Sequence, residues 1–336
     1  MRTSTFLMGC GFVVWLAESL LRNTAAGLLT QSLQHNPATH TMGLTAAIIA
    51  VCAPSVWMLR AVQGINRGWE RTKQQPRNPS HNRATFAATA SSASMAKQPH
   101  LLVEEGDVED IALIPGDPGR VDRIAKQCEN VEEVAANREY KVVNAEYEGV
   151  PLTICSTGIG CPSAAIALEE LARVGVETFI RVGTIGALQE HVEIGDMIVA
   201  TGAAKEEGTS KRYESEVYPA VPDYEVLTAL VDSAEANDED VHVGPIVSDD
   251  AFYNEDDEYV KDWNEAGLLA IEMEAATVFS LARRKGLRAG AICTVDGNLV
   301  KGTQKGADSD EELPEKAKNN VERAIALTLD AVTTLA

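Results

Sequence analysis

The sequence predicts an α/β domain with a covered sheet over residues 95–336, and three observations predict it. From Ile111 onward, short apolar runs alternate with segments of helical periodicity, the pattern of strands buried beneath helices. Composition changes sharply near Met95. Glycine, arginine and acidic residues cluster just after the apolar runs, and in open α/β sheets ligands bind beyond the carboxyl ends of the strands.

The charge balance sets the domain apart. Residues 1–94 carry eight Lys and Arg against Glu18 and Glu70, a net of +6; with −21 for the whole chain, the remainder stands at −27. So acidic a domain repels nucleic acid and anionic membrane, whose binding needs clustered Lys and Arg. The runs Glu235–Asp240 and Asp308–Glu312 would repel themselves in fresh water, which suits a high-salt cytosol or, alternatively, an ordinary solvated acidic face. The six cysteines (Cys10, Cys52, Cys128, Cys155, Cys161, Cys293) show neither CxxC nor zinc-type spacing, so they read as reduced, mostly buried thiols in a cytoplasmic protein, with no metal implied.

In the first 94 residues, Phe6–Leu21 and Met42–Leu59 are apolar but interrupted by Glu18 or weakened by Thr, Ser and Pro, and would make a poor membrane hairpin. A signal peptide in front of an acidic domain with reduced cysteines is a poor fit. The segment Asn66–Ser94 reads as linker. We expect a wrongly assigned start, with the natural chain beginning at Met95; peptides from before Met95 in the protein's own cells would refute this.

Taken in order, Ile111–Ile114 is a buried strand. It is followed by Pro115-Gly116-Asp117-Pro118-Gly119-Arg120, where Asp117 suits an N-cap and Pro118 the first helical position. The helix start, the bare Gly116 backbone and the Arg120 fork form a site for a small anion, against the plainer reading of a strand-to-helix turn with a solvated Arg. Tyr140–Tyr147 and Pro151–Cys155 read as a hairpin around Glu148-Gly149, and Ala164–Ala172 as a helix. Between them, Ser156–Gly160 requires only that the backbone bend.

Strand Thr178–Val182 holds Arg181 inside an apolar run, where an unpaired charge is costly, so it needs an anionic partner. A structural carboxylate and bound phosphate are both open, the second favoured by Gly183 and Thr184 following. Met197–Thr201, Val241–Val247 and Ala289–Val295 are further strands; helices are expected over Glu274–Arg284 and from Glu315 onward. Ile271-Glu272-Met273-Glu274 sets two carboxylates at a strand-to-helix junction, suited to a sugar diol because a carboxylate accepts two hydroxyls, or else to complementing the helix dipole. Asp296, after the last strand, and Phe252 in Ser248–Tyr253 could together meet a base; alternatively Asp296 forms a turn.

The strings at Pro115–Ile124 (PGDPGRVDRI), Thr178–Ala187 (TFIRVGTIGA) and Ile271–Thr277 (IEMEAAT) together closely resemble the hexameric purine nucleoside and uridine phosphorylases, from about His100 to the end of the chain. The resemblance implies a three-layer α/β/α sandwich around a mixed sheet, assembled as a trimer of dimers with sites shared between subunits. It also implies Gly116, Arg120, Arg181 and Thr184 on phosphate, joined by Arg138 of the adjacent subunit. Ribose would fall to Glu274, the Met273 backbone and, at the 5′-hydroxyl, His100; Phe252 would pack on the base. No cofactor is implied; phosphate is a co-substrate beside the nucleoside.

The departures bear on the base. Uridine-specific members carry a Gln and Arg pair soon after Phe-Tyr, where this chain has Asn254–Glu258, and the Arg they carry near Asn298 is absent. Thr294-Val295-Asp296-Gly297 is similar to the purine-cleaving variant, whose Asp protonates N7 of the leaving base. The expectation is therefore inosine or guanosine, with uridine next. Asp296 must carry a proton to donate, which asks for burial. Two rivals remain: a nucleosidase of the same fold, which would lack the phosphate-binding arginines, and a membrane-tethered binding protein with a decayed site.

Overall fold

The strand-helix alternation becomes nine strands and seven helices in a computed structural model that describes residues 97–254, 256–303 and 315–336. The expectations for residues 1–94 and the start at Met95, together with Cys10 and Cys52, lie outside the described residues. β1 (Ile111–Leu113), β5 (Thr178–Ala187) and β9 (Arg288–Asn298) run parallel in the middle of the sheet, with β4 (Val150–Cys155) parallel on the far side of β1. β2 (Glu129–Asn137), β3 (Tyr140–Tyr147) and β4 form an antiparallel meander at one edge. The β3–β4 turn, Glu148-Gly149, has φ of 49° and 83°, the doubly left-handed backbone that a two-residue hairpin requires.

On its other side the sheet curls back on itself. β6 (Met197–Lys205) pairs with both β9 and β7 (Val241–Ser248), β7 with β8 (Ala270–Glu272), and β8 with the last residues of β5. The strand ends of β5, β7, β8 and β9 therefore converge, which no one segment of sequence could indicate.

Helices cover both faces, giving three layers. One apolar cluster holds Phe179 and Ile185 against α2 (Cys161–Val174) and α6 (Ala275–Lys285). A second holds Ile180 and Val182 against α1 (Pro118–Ala125), α4 (Tyr224–Ala236) and α7 (Glu315–Leu335). Because side chains alternate along a strand, Arg181 falls on the α2/α6 face, towards the start of α6.

The helix-start chemistry at α1 is as expected: Asp117 caps it by accepting Gly119 N–H at 2.9 Å, and Pro118 opens it. Four elements went unforeseen. β2 is almost wholly exposed and acidic, so it shows no apolar run. α4 has the spacing Val226, Ala229, Leu230, Ser233 behind the N-cap Asp223, a signal that was there to be read. α5 (Asp257–Glu265) has no fully buried residue, and packs Tyr259, Val260 and Trp263 against Leu188, Val247 and Ile271. The small helix α3 (Ser210–Tyr213) completes the set. Among the described residues, no helix is long and apolar enough to cross a membrane, and no His, Cys, Asp and Glu group could hold a metal. Cys155, Cys161 and Cys293 are buried free thiols and Cys128 is half-buried.

Candidate active site

A cavity of about 860 Å³ opens where those strand ends converge. Gly116, Arg120, Arg181 and Thr184 line it, and so do Met273, Glu274, Phe252 and Asp296. The lining comes from seven separate stretches of chain, carried there by β1, β5, β8, β9, the β2–β3 turn and the loops after β4 and β7. The β1–α1 loop is tied to the Ser156–Gly160 bend by Thr157 N–H to Pro115 O at 2.8 Å and Gly158 N–H to Gly116 O at 3.0 Å.

Arg120 and Arg181 lie side by side but are held differently. Arg120 is 8 % exposed; its Nη1 donates to Val182 O at 3.1 Å, its Nε is buried without an acceptor, and it has no ion pair among the described residues. Burial, reinforced by the charge of Arg181, pulls its guanidinium below the usual arginine range. Arg181, 4 % exposed, is paired instead: Nε with Glu272 Oε2 at 2.8 Å and Nη2 with Glu274. Burial alone would lower it, but the two carboxylates outweigh that and push it up. A structural carboxylate thus does meet the demand that a buried strand arginine makes.

The two acids divide their work. Glu272 accepts the backbone N–H groups of Glu274 and Ala275 at 2.9–3.0 Å, capping α6, and also takes Arg181 and the Ser248 hydroxyl. Glu274 lines the cavity and accepts Gly160 N–H at 2.6 Å. Burial raises its carboxyl above the usual glutamate range, with Glu272 adding to the effect and Arg181 opposing it.

Gly183 leaves the Arg181 guanidinium its room beside β9. A Cβ there would come within 2.8 Å of Cys293 Sγ and 3.1 Å of the Arg181 guanidinium carbon. Asp296, 9 % exposed, sits inside β9 rather than in a following turn. Ile185 pairs with Val295 but Gly186 pairs with Gly297, so Asp296 is the extra residue of a β-bulge. A bulge re-aims a side chain, and here Asp296 joins the cavity wall. Phe252 stacks edge-to-face with Tyr253, ring centroids 5.0 Å apart, while Tyr253 stands 98 % exposed at the rim.

A family model described as the phosphorylase superfamily matches residues 110–333. The chain belongs to this superfamily. It is 80 % identical over 241 residues to a guanosine phosphorylase of Halorubrum lacusprofundi, covering 72 % of this chain and all of that one. It is 44 % identical over 216 residues to a uridine phosphorylase of Thermococcus kodakarensis, covering 60 % and 78 % of the two. A purine nucleoside phosphorylase of Toxoplasma gondii, solved with immucillin-H, superposes with a TM-score of 0.67 at 32 % identity, covering 72 % of this chain and 98 % of that one.

Two residues singled out by this phosphorylase-like sequence do not line the cavity. Arg138 is exposed in the β2–β3 turn, and His100 Nδ1 is bound to Glu170 Oε1 at 2.6 Å. They are neighbours, because Asn137 Nδ2 donates to His100 O at 2.7 Å. Sequence reasoning also passed over Glu139, Ile159, Ser163 and Leu299, all of which line the cavity. Glu139 and Leu299 directly follow singled-out strings, the only trace they leave. Asn298 is turned inward, its amide donating to Gln189 O and Val192 O.

Proposed function

We propose that this chain uses inorganic phosphate to split a purine nucleoside, guanosine foremost, into free base and ribose 1-phosphate. The observation that carries the reading is Arg120, a buried guanidinium with no ion pair among the described residues, at the wall of a cavity. A buried cation in that state calls for an anion from outside. The identity with a guanosine phosphorylase and the absence of the Gln and Arg pair after Tyr253 support a purine over uracil.

In the reaction, Gly116, Arg120, Arg181 and Thr184 hold phosphate, and Glu274 with the Met273 backbone holds the ribose hydroxyls. Phe252 packs on the base. Positive charge develops on the ribose as the bond from C1′ to N9 breaks, and the phosphate oxygen that stabilises it forms the new bond to C1′. Asp296 donates its proton to N7, so the base leaves neutral. No cofactor takes part.

His100 and Arg138 sit together and line no part of their own cavity, as residues serving a neighbouring subunit would, and this supports assembly as a hexamer, a trimer of dimers. The net charge of −27 over residues 95–336 favours a high-salt cytoplasm and weighs against nucleic acid or membrane as partners. Assaying guanosine, inosine, uridine and methylthioadenosine in high salt, with and without phosphate, tests the reading. Turnover is expected only with phosphate, and fastest on guanosine; equal turnover in phosphate-free buffer would make the chain a nucleosidase and refute it.

A further inference from the structure

Ser248, the last residue of β7, is fully buried and does not line the cavity, yet it touches both acids' supports. Its Oγ accepts Ala276 N–H at 2.9 Å from the first turn of α6 and donates to Glu272 Oε1. Glu272 is anchored at both oxygens: Ala275 N–H is shared between Oε1 and Oε2, 3.0 Å from each, and Oε2 also accepts Glu274 N–H at 2.9 Å and Arg181 Nε at 2.8 Å. One hydroxyl therefore links β7, β8, α6 and, through a single carboxylate, the arginine of β5.

We propose that Ser248 is a positioning residue for anion binding: its hydroxyl fixes the plane of the Glu272 carboxylate and, through it, the edge that Arg181 presents to the cavity. The inference rests on the phosphate reading of Arg120 and Arg181. Among the described residues the Ser248 bond is the one side-chain hydrogen bond to Oε1; the other donor there, Ala275 N–H, is shared with Oε2, so without Ser248 no unshared donor fixes that oxygen and the carboxylate resettles about its soft terminal torsion on its Oε2 bonds. The Arg181 guanidinium, planar and held at Nη2 by Glu274, follows that shift at its Nε edge. Arg120 takes its alignment from Val182 O and is unaffected.

The test is Ser248→Ala in the full chain, with inorganic phosphate as the probe in titration calorimetry and guanosine kinetics at saturating phosphate. Losing one hydrogen bond to a charged group corresponds to about ten- to a hundredfold, so a phosphate Kd raised about tenfold or more is expected, with the guanosine KM moving less than about threefold. Ser248→Thr, which keeps the hydroxyl, should restore phosphate affinity. Should Ser248→Ala not fold, Ser248→Cys, close in size and a weak donor, is measured in its place with the same expectation. Unchanged phosphate affinity overturns the inference, as does an equal loss of phosphate and guanosine binding with a lowered melting temperature, the mark of a merely structural role. A parent chain that binds no phosphate overturns the phosphorolysis reading and this inference with it.

Discussion

Replacing Arg120 by Met separates a binding arginine from a structural one. Truncating one partner of a buried ion pair ordinarily costs about 3–5 kcal/mol, because the other charge is stranded. Arg120 strands nothing: it has no ion pair among the described residues, and its Nε already lacks an acceptor. The substitution removes one hydrogen bond to Val182 O, a loss of about 1.5–3 kcal/mol for a charged donor, and relieves a buried unsatisfied donor that costs about 1–3 kcal/mol. The two nearly cancel. In phosphate-free high-salt buffer, Arg120→Met should therefore melt within about 4 °C of the parent, against a fall of roughly 6–20 °C for a broken buried pair, at about 2–4 °C per kcal/mol. Phosphate binding should suffer instead. Two charge-assisted hydrogen bonds lost at about 1.5–3 kcal/mol each lower kcat/KM for phosphate by about 10²- to 10⁴-fold. The parent should gain about 2.7 kcal/mol of stability at phosphate a hundredfold above its Kd, and the variant should gain almost none. Thermal melts with and without phosphate, beside phosphorolysis rates, decide it. A variant that loses 3 kcal/mol without phosphate, or that phosphate still protects, would show the reasoning to be wrong.

Asp296→Asn should lower guanosine turnover by about 10²- to 10⁴-fold, the range for a general acid, with the fold kept; unchanged purine kinetics would remove Asp296 from the mechanism. Gly183→Ala should press Cβ into Cys293 Sγ and the Arg181 guanidinium, costing about 1–3 kcal/mol of stability and raising the phosphate KM; a phosphate KM equal to the parent's would mean that the clearance is not needed. Because burial raises the Glu274 carboxyl, the folded chain binds more protons there than the unfolded one, so this group's contribution to stability falls as pH climbs from the ordinary glutamate range to the folded value. Melting temperature against pH for Glu274→Gln should accordingly lack that decline, and a slope identical to the parent's would contradict the shift.

Much of the site was legible because its residues adjoin strand ends. Asp117 and Pro118 announced a helix start, Arg181 announced a charge needing a partner, and Glu272 and Glu274 announced a junction. What could not be read was which alternative each would take. Arg181 is answered by carboxylates 91 and 93 positions away, brought to it by the pairing of β5 with β8. Arg120, of the same residue type on an equally buried footing, is answered by none among the described residues. β2 was missed because an edge strand exposed at most of its positions, with Val134 and Ala135 adjacent as its half-buried apolar residues, has no apolar period to detect.

Most of the strands and helices, the cap at Asp117, the turn at Glu148-Gly149 and the acidic character of the domain follow from the sequence alone, since each depends on residues close together in the chain. The closure of the sheet, the bulge that turns Asp296 into the cavity and the Ser248 to Glu272 to Arg181 connection were decided only by tertiary structure. Pairing register and burial are set by contacts between segments tens of residues apart, and a single misregistered residue would send each of those side chains to the opposite face.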